Sequence, residues 1–188
     1  MDYRNELIRS ACRLFSQRGY DGVGVQEIVD SVGVTKPTLY HYFGSKHGVL
    51  EALLLTYLKP FESKLVEKCI YNNDIVKSLE DISRHFFEFA QIEPGFFRFW
   101  MTIRLSPPQS IPYQSLRPYA QAQHQVISNF FAIAARQHGN LKDKNDMLAI
   151  SFIGLLFIYA TDDLHSNRLL AGDTVYQIVH QFMYGIFS

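Results

Sequence analysis

Between residues 25 and 46 the chain reads VQEIVDSVGVTKPTLYHYFGSK, and the glycine in the middle of this string constrains the backbone more than any other feature. Ile28, Val29 and Val32 give a first short helix an apolar face, and Gly33 ends it where the chain must turn sharply. Thr35 is placed to cap a second helix, its hydroxyl accepting from a backbone N–H two or three residues on. Pro37 falls in the first turn of that helix, where a missing N–H costs nothing. Two short helices joined by a tight glycine turn are the layout of a helix-turn-helix, whose second helix can enter a major groove while the first crosses the nucleic-acid backbone.

Helical spacing governs the rest of the chain. Leu7, Ile8, Ala11, Leu14 and Phe15 form one stripe, closed by Gly19. Ser45 is placed to cap a fourth helix from about Lys46 that carries Val49, Leu50, Leu53, Leu54 and Leu58, and Pro60 is expected to kink or break it. Further helices are expected over 74–91, 96–105, 113–138, 143–165 and 173–187, separated by Glu93-Pro94-Gly95, the Pro-rich 106–112 segment, Gly139-Asn140 and Gly172. The fold class is all-α with about nine helices.

Composition narrows the function. The 188 residues have no net formal charge, and the first fifty carry six Lys or Arg against five Asp or Glu. Affinity for nucleic acid must therefore come from a local patch. Cys12 and Cys69 are far apart and have no metal-ligand spacing, which suits buried thiols in a reducing compartment. The N-terminus lacks a charged-then-apolar leader, and the apolar run Met147–Ala160 falls short of the roughly 20 residues a membrane helix needs. A cytoplasmic location is expected. Nothing resembles a phosphate loop, a nucleophile elbow or a His/Glu metal motif, so no catalytic residue, cofactor or metal is expected. Asp162 and His165 are one turn apart, but a solvated polar helix end accounts for them better than a metal does.

Ala11, Leu14-Phe15 and Gly19-Tyr20, followed by Ile28, Gly33-Val34-Thr35, Leu39-Tyr40-His41-Tyr42-Phe43 and Lys46, resemble the N-terminal segment of the TetR family of bacterial transcriptional regulators. The resemblance implies a helix-turn-helix DNA-binding domain over residues 1–46 and a helical effector-binding and dimerisation domain over 47–188. It also implies a homodimer on a palindromic operator, reset by a small molecule. The residues expected at DNA are Gln26, Thr35, Lys36, Pro37, Thr38, Tyr40, His41, Tyr42 and Lys46, with Leu39 and Phe43 packing inward. Val23 and Gly24 stand where the family often has hydroxyl residues, and Val29 and Val32 where it often has alanines.

Two apolar clusters extend this reading. The aromatic set around residues 86–101 is mostly core, and Phe86, Phe89, Phe97, Trp100 and Met101 are its candidates for lining an effector pocket. The effector expected there is hydrophobic or aromatic, although a cation over aromatic faces would also fit. Met147–Ala160 is apolar all round and needs cover on every side, and the last helix carries a Val175, Ile178, Val179, Phe182, Ile186 stripe. A four-helix interface between two copies would provide it, with Phe152, Leu155, Leu156, Tyr159, Ile178 and Phe182 at the contact. A ligand-responsive repressor is the leading function. The alternatives are an activator or ligand-independent regulator of the same fold, a helical small-molecule enzyme, and a helical protein-interaction module.

Overall fold

A computed structural model describes residues 2–164 and 173–185, and among these there are nine α-helices, one 3-10 turn and no strand. His165, Gly172, Ile186 and Phe187 lie outside the described residues. The helices are α1 (Tyr3–Arg18), α2 (Val25–Asp30), α3 (Lys36–Phe43), α4 (Lys46–Lys68), α5 (Ile75–Ile92), α6 (Pro94–Arg104), α7 (Ile111–Ala134), α8 (Asn145–Asp163) and α9 (Thr174–Tyr184). Packing divides the chain into two compact units, Met1–Pro60 with Gly95–Tyr119, and Phe61–Pro94 with Ala120–Ser188. This division follows contacts, and it cuts the chain elsewhere than after residue 46.

In the first unit α1, α2 and α3 pack on one another. Asp2 starts α1 by accepting from the Asn5 N–H at 3.2 Å, and the Gly19 N–H closes it on the Phe15 carbonyl at 2.9 Å. Leu7, Ile8, Ala11, Ile28, Val29 and Leu39 are fully enclosed, each large side chain worth about 1.5–3 kcal/mol of burial. α2 ends at Asp30, sooner than the apolar spacing through Val32 suggests. The turn begins there because the Val34 N–H returns to the Val29 carbonyl at 3.0 Å, and Gly33 takes a φ of 75° that a side chain would resist.

α4 starts from the Ser45 hydroxyl, which accepts from the Gly48 N–H at 3.0 Å, as the sequence suggests. A Cβ on Gly48 would stand 1.9 Å from the Phe43 carbonyl oxygen. Only a glycine lets the first turn of α4 lie this close to the end of α3. Pro60 does not break α4, which runs on to Lys68. Leu58, Phe61 and Leu65 form one buried stripe across the proline while Pro60 itself faces outward, so packing outweighs the roughly 3 kcal/mol an internal proline costs.

The aromatic α6 belongs to this first unit. Phe99 packs on Phe15 of α1 with centroids 5.4 Å apart, Phe96 stacks on Tyr57 of α4 at 4.5 Å, and Phe97 meets Trp100 edge-on at 5.9 Å. α6 begins at Pro94, a residue preset for a first helical turn, so the expected Glu93-Pro94-Gly95 loop shrinks to almost nothing.

In the second unit α5 packs against α8 and α9. Phe86 meets Phe157 edge-on at 5.7 Å, and Phe152 lies between Phe131 and Phe182 at 6.2 and 5.0 Å. α7 ends at Ala134, four residues early, because the Gln137 and His138 N–H groups both turn back to the Ala134 carbonyl. By length and composition alone Asn145–Asp162 could cross a membrane, with a mean hydropathy of 1.2, but its Phe152, Leu156 and Ala160 are enclosed by the chain itself. His85 is buried and stacked on Phe61, and its Nε2–H donates to the Phe61 carbonyl at 2.9 Å. Burial pushes the imidazole below its ordinary value; the Phe61 carbonyl and Glu88 oppose the shift, whereas Lys64 and Lys68 add to it.

Two outcomes follow. Gly48→Ala must push α4 away from the Phe43 carbonyl, and thermal unfolding should show a loss of about 1–3 kcal/mol or more. The unfolded chain takes up a proton on His85 more readily than the folded one. Its contribution should therefore be complete above about pH 6.5 and shrink as pH falls. Melting curves of His85→Leu between roughly pH 7 and 5 should be flatter than those of the unmodified protein.

Candidate nucleic-acid interface

The eight residues of α3 separate cleanly into two sides. Leu39 is fully buried, whereas Lys36, Pro37, Tyr40, His41 and Tyr42 are exposed and Thr38 and Phe43 are half-buried. Tyr40 and Tyr42 keep 46% and 42% of their surface open, a large aromatic area for a helix that its own chain leaves uncovered. The Lys36 ammonium makes no hydrogen bond or ion pair among the described residues. His41 stands edge-on to Tyr42 at 5.5 Å.

The turn residues hold this face in place. Thr35 is the residue before α3, but its hydroxyl does not cap a backbone N–H; it shares a hydrogen bond with the Thr38 hydroxyl at 3.0 Å. Gln26 is exposed on α2 and donates to Asp30 at 2.6 Å. Gly24 precedes α2 and donates its N–H to Glu27 at 2.9 Å, so a helix start that lacks a hydroxyl is closed from within. Glu27 also pairs with Arg18, which in addition donates to the Gly22 carbonyl. These contacts, with a smaller contribution from Lys46, hold the Glu27 carboxyl below the usual carboxylate range.

Lys46 sits differently from the other candidates. Its ammonium lies 4.2 Å over the Tyr20 ring, and partial burial lowers its pKa while Asp21 and Glu27 work against that shift. Burial and Asp21 together raise the Tyr20 phenol. The sequence did not single out this group of Tyr20, Arg18 and Glu27; the Gly19-Tyr20 pair was its only visible trace. Arg4 was also missed. Its guanidinium lies 5.7 Å over Phe43, at the end of α3.

The other candidates fall in separate places. Phe86 and Phe89 belong to the second unit, while Phe97, Trp100 and Met101 belong to the first. Phe86, Phe97 and Trp100 are buried, and Phe89 and Met101 are half-buried. Phe152, Leu156 and Ile178 are covered by the second unit's own core, and Phe182 packs on Phe131 and Phe152. Leu155 and Tyr159 remain half-open. The uncovered side of α8 runs through Met147, Ile150, Gly154 and Ile158 instead.

Comparison with known proteins agrees with this geometry. The model of the family "Bacterial regulatory proteins, tetR family" matches residues 7–53. The transcriptional activator FasR of Mycolicibacterium smegmatis is 24% identical over 183 residues, spanning 97% of this chain and 81% of that protein. IcaR of Staphylococcus aureus, negative regulator of a biofilm operon, is 26% identical over 134 residues, 68% of this chain and 69% of its own. The fold matches the TetR-family regulator PfmR of Thermus thermophilus at a TM-score of 0.76 and 17% identity, covering 97% of this chain and 96% of that one. It matches FadR of Bacillus subtilis, solved in complex with stearoyl-CoA, at 0.77 and 16%, covering 97% and 98%. The head of the chain, residues 7–53, thus matches the bacterial regulatory proteins of the tetR family, and the helices superpose end to end on regulators of that family.

Proposed function

We propose that the protein is a cytoplasmic repressor that binds a palindromic operator as a homodimer and is released by an apolar effector. The observation that carries this reading is the exposed face of α3, where Lys36, Tyr40, His41 and Tyr42 project from a helix that Gly33 and the Leu39 anchor hold still. A large aromatic and cationic surface of this kind suits base edges and phosphates in a major groove. Thr35, Pro37, Thr38 and Gln26 lie around it as shorter-range contacts. Lys46 serves the backbone only when its ammonium leaves the Tyr20 ring.

Dimerisation through α8 and α9 follows from what the second unit leaves bare. Met147, Ile150 and Ile158 are each 60% exposed or more, and Gly154 has open space where a side chain would stand. A second copy brings the same face, so a two-fold pairing covers both at once, with Leu155 and Tyr159 at its margin. Two recognition helices related by such an axis read an inverted repeat.

The effector reading rests on the aromatic residues and on the relatives. FadR of Bacillus subtilis is described with stearoyl-CoA, and another structural neighbour is the fatty acid degradation regulator FadR of Bacillus halodurans. An acyl chain is the effector proposed, with Phe86 and Phe89 of the second unit as its candidate contacts. It can move the DNA equilibrium only by preferring one state of the head, so acyl binding and DNA binding weaken each other equally. Relatives include both an activator and a negative regulator, which makes the sign of regulation a matter for a reporter assay.

The primary test is selection of bound sequences from random duplexes, which should return an inverted repeat; selection with no palindromy would remove the dimeric reading. Against the selected duplex, Lys36→Ala should reduce the slope of log affinity against log salt by about one unit. Tyr40→Ala should cost about 1–3 kcal/mol and broaden the sequence preference. Ile150→Glu combined with Ile158→Glu should turn a dimer into a monomer in sedimentation at micromolar concentration. Phe89→Ala should weaken the response to a long-chain acyl-CoA more than it weakens DNA binding without one.

A further inference from the structure

We infer that the cleft between the end of α3, the start of α4 and the start of α7 is a binding site for a small amphiphilic carboxylate, acting on the recognition helix directly. The cleft lies wholly within the first unit and has a volume of about 780 Å³, within the range of small-molecule sites. None of the residues read as effector contacts lines it.

Its lining combines a cation with apolar groups. The Arg4 guanidinium lies 5.7 Å from the Phe43 ring centroid and makes no hydrogen bond or ion pair among the described residues. A guanidinium so placed presents a planar fork of N–H donors, the geometry that suits a carboxylate. Leu55 and Ile111 form apolar walls, and each keeps about half its surface open because nothing in the unit covers it. Glu51, a second charged group of the lining, faces His47 at 3.6 Å. A carboxylate with a short alkyl chain satisfies the guanidinium and the apolar walls together. A DNA phosphate would meet Arg4 and leave Leu55 and Ile111 bare, and an alkylammonium would meet Arg4 with the wrong sign.

Occupancy has a mechanical consequence. The His47 Nε2 and the Ser115 hydroxyl share a hydrogen bond of 2.9 Å that joins the first turn of α4 to α7 beside the cleft. Tyr42, on the exposed side of α3, lines the same cleft. A ligand that parts α4 from α7 breaks the first contact and displaces the second, which changes what the recognition helix presents to DNA.

The test is calorimetric titration of the full-length protein with octanoate, octylammonium and octanol. Octanoate should bind at one site per chain, and octylammonium and octanol should bind at least about tenfold more weakly, the contribution of one charge-assisted contact. Arg4→Met and, separately, Leu55→Asp should each weaken octanoate about tenfold, with melting temperatures showing that both variants fold. Equal binding of octylammonium, or octanoate binding unchanged in both variants, would overturn the proposal. So would octanoate binding that is lost in Phe89→Ala but kept in Arg4→Met; this result would place the ligand with the acyl effector instead. If octanoate fails to bind while Arg4→Met flattens the salt dependence of DNA binding, Arg4 is a phosphate contact and the cleft is not a site.

Discussion

The recognition helix depends on a contact made by an absent side chain. At Gly48 the first turn of α4 lies so close to the Phe43 carbonyl that a single methyl group has nowhere to go. α3 has only eight residues, too few to be stable alone, and it takes its direction from what it touches. Leu39 anchors one side of it, and the α4 contact fixes its end. Between them Gly44, with φ at 72°, lets the chain reverse into the Ser45 cap within two residues. Whatever tilts α4 must therefore carry α3 with it, because the two have no slack to absorb the motion.

Electrostatics in this head are arranged for position before charge. A chain with no net charge has no bulk attraction for DNA, so the placement of individual cations matters. Arg18 is committed to Glu27 and the Gly22 carbonyl, holding the loop before α2. Lys46 rests on Tyr20, and Arg4 on Phe43. Lys36 alone among these four has neither a ring nor an ion pair within the described residues. Affinity must then come from fit across two heads and from released counterions at few points, which favours discrimination over tight unspecific binding.

The head was legible in the sequence because each of its signals is local. Gly33, Ser45 and the Leu39 anchor act within four residues of where they stand, so spacing alone finds them. Thr35 misled on a detail, since its hydroxyl found Thr38 in place of the backbone. Pro60 misled more seriously, because the stripe of Leu58, Phe61 and Leu65 that keeps α4 whole is a packing effect. The interface candidates meet a related limit of local pattern. An all-apolar α8 gives no periodicity to tell its covered side from its open side, so Phe152 and Leu156 look no different from Met147 and Ile150 until α5 is in place. The association of α6 with α1 through Phe99 and Phe15 joins positions 84 residues apart and leaves no mark on the local pattern.

The way the two units share the chain bears on how such proteins can be recombined. The backbone passes from one unit to the other after Pro60, again after Pro94 and a third time after Tyr119. A DNA-reading head cannot be lifted out as one continuous piece. Cut after residue 46 or 60 and joined to a foreign body, it would lose the α6 aromatics that cover Phe15 and Tyr57. A chimaera that retains operator choice while accepting a new signal has to bring residues 95–119 along with the first sixty, or match their aromatic surface in the host. For a sensor builder, the transferable module is two segments held together by stacked rings, with two junctions inside α4 and α7, where helical register carries across the seam, and a third after Pro94.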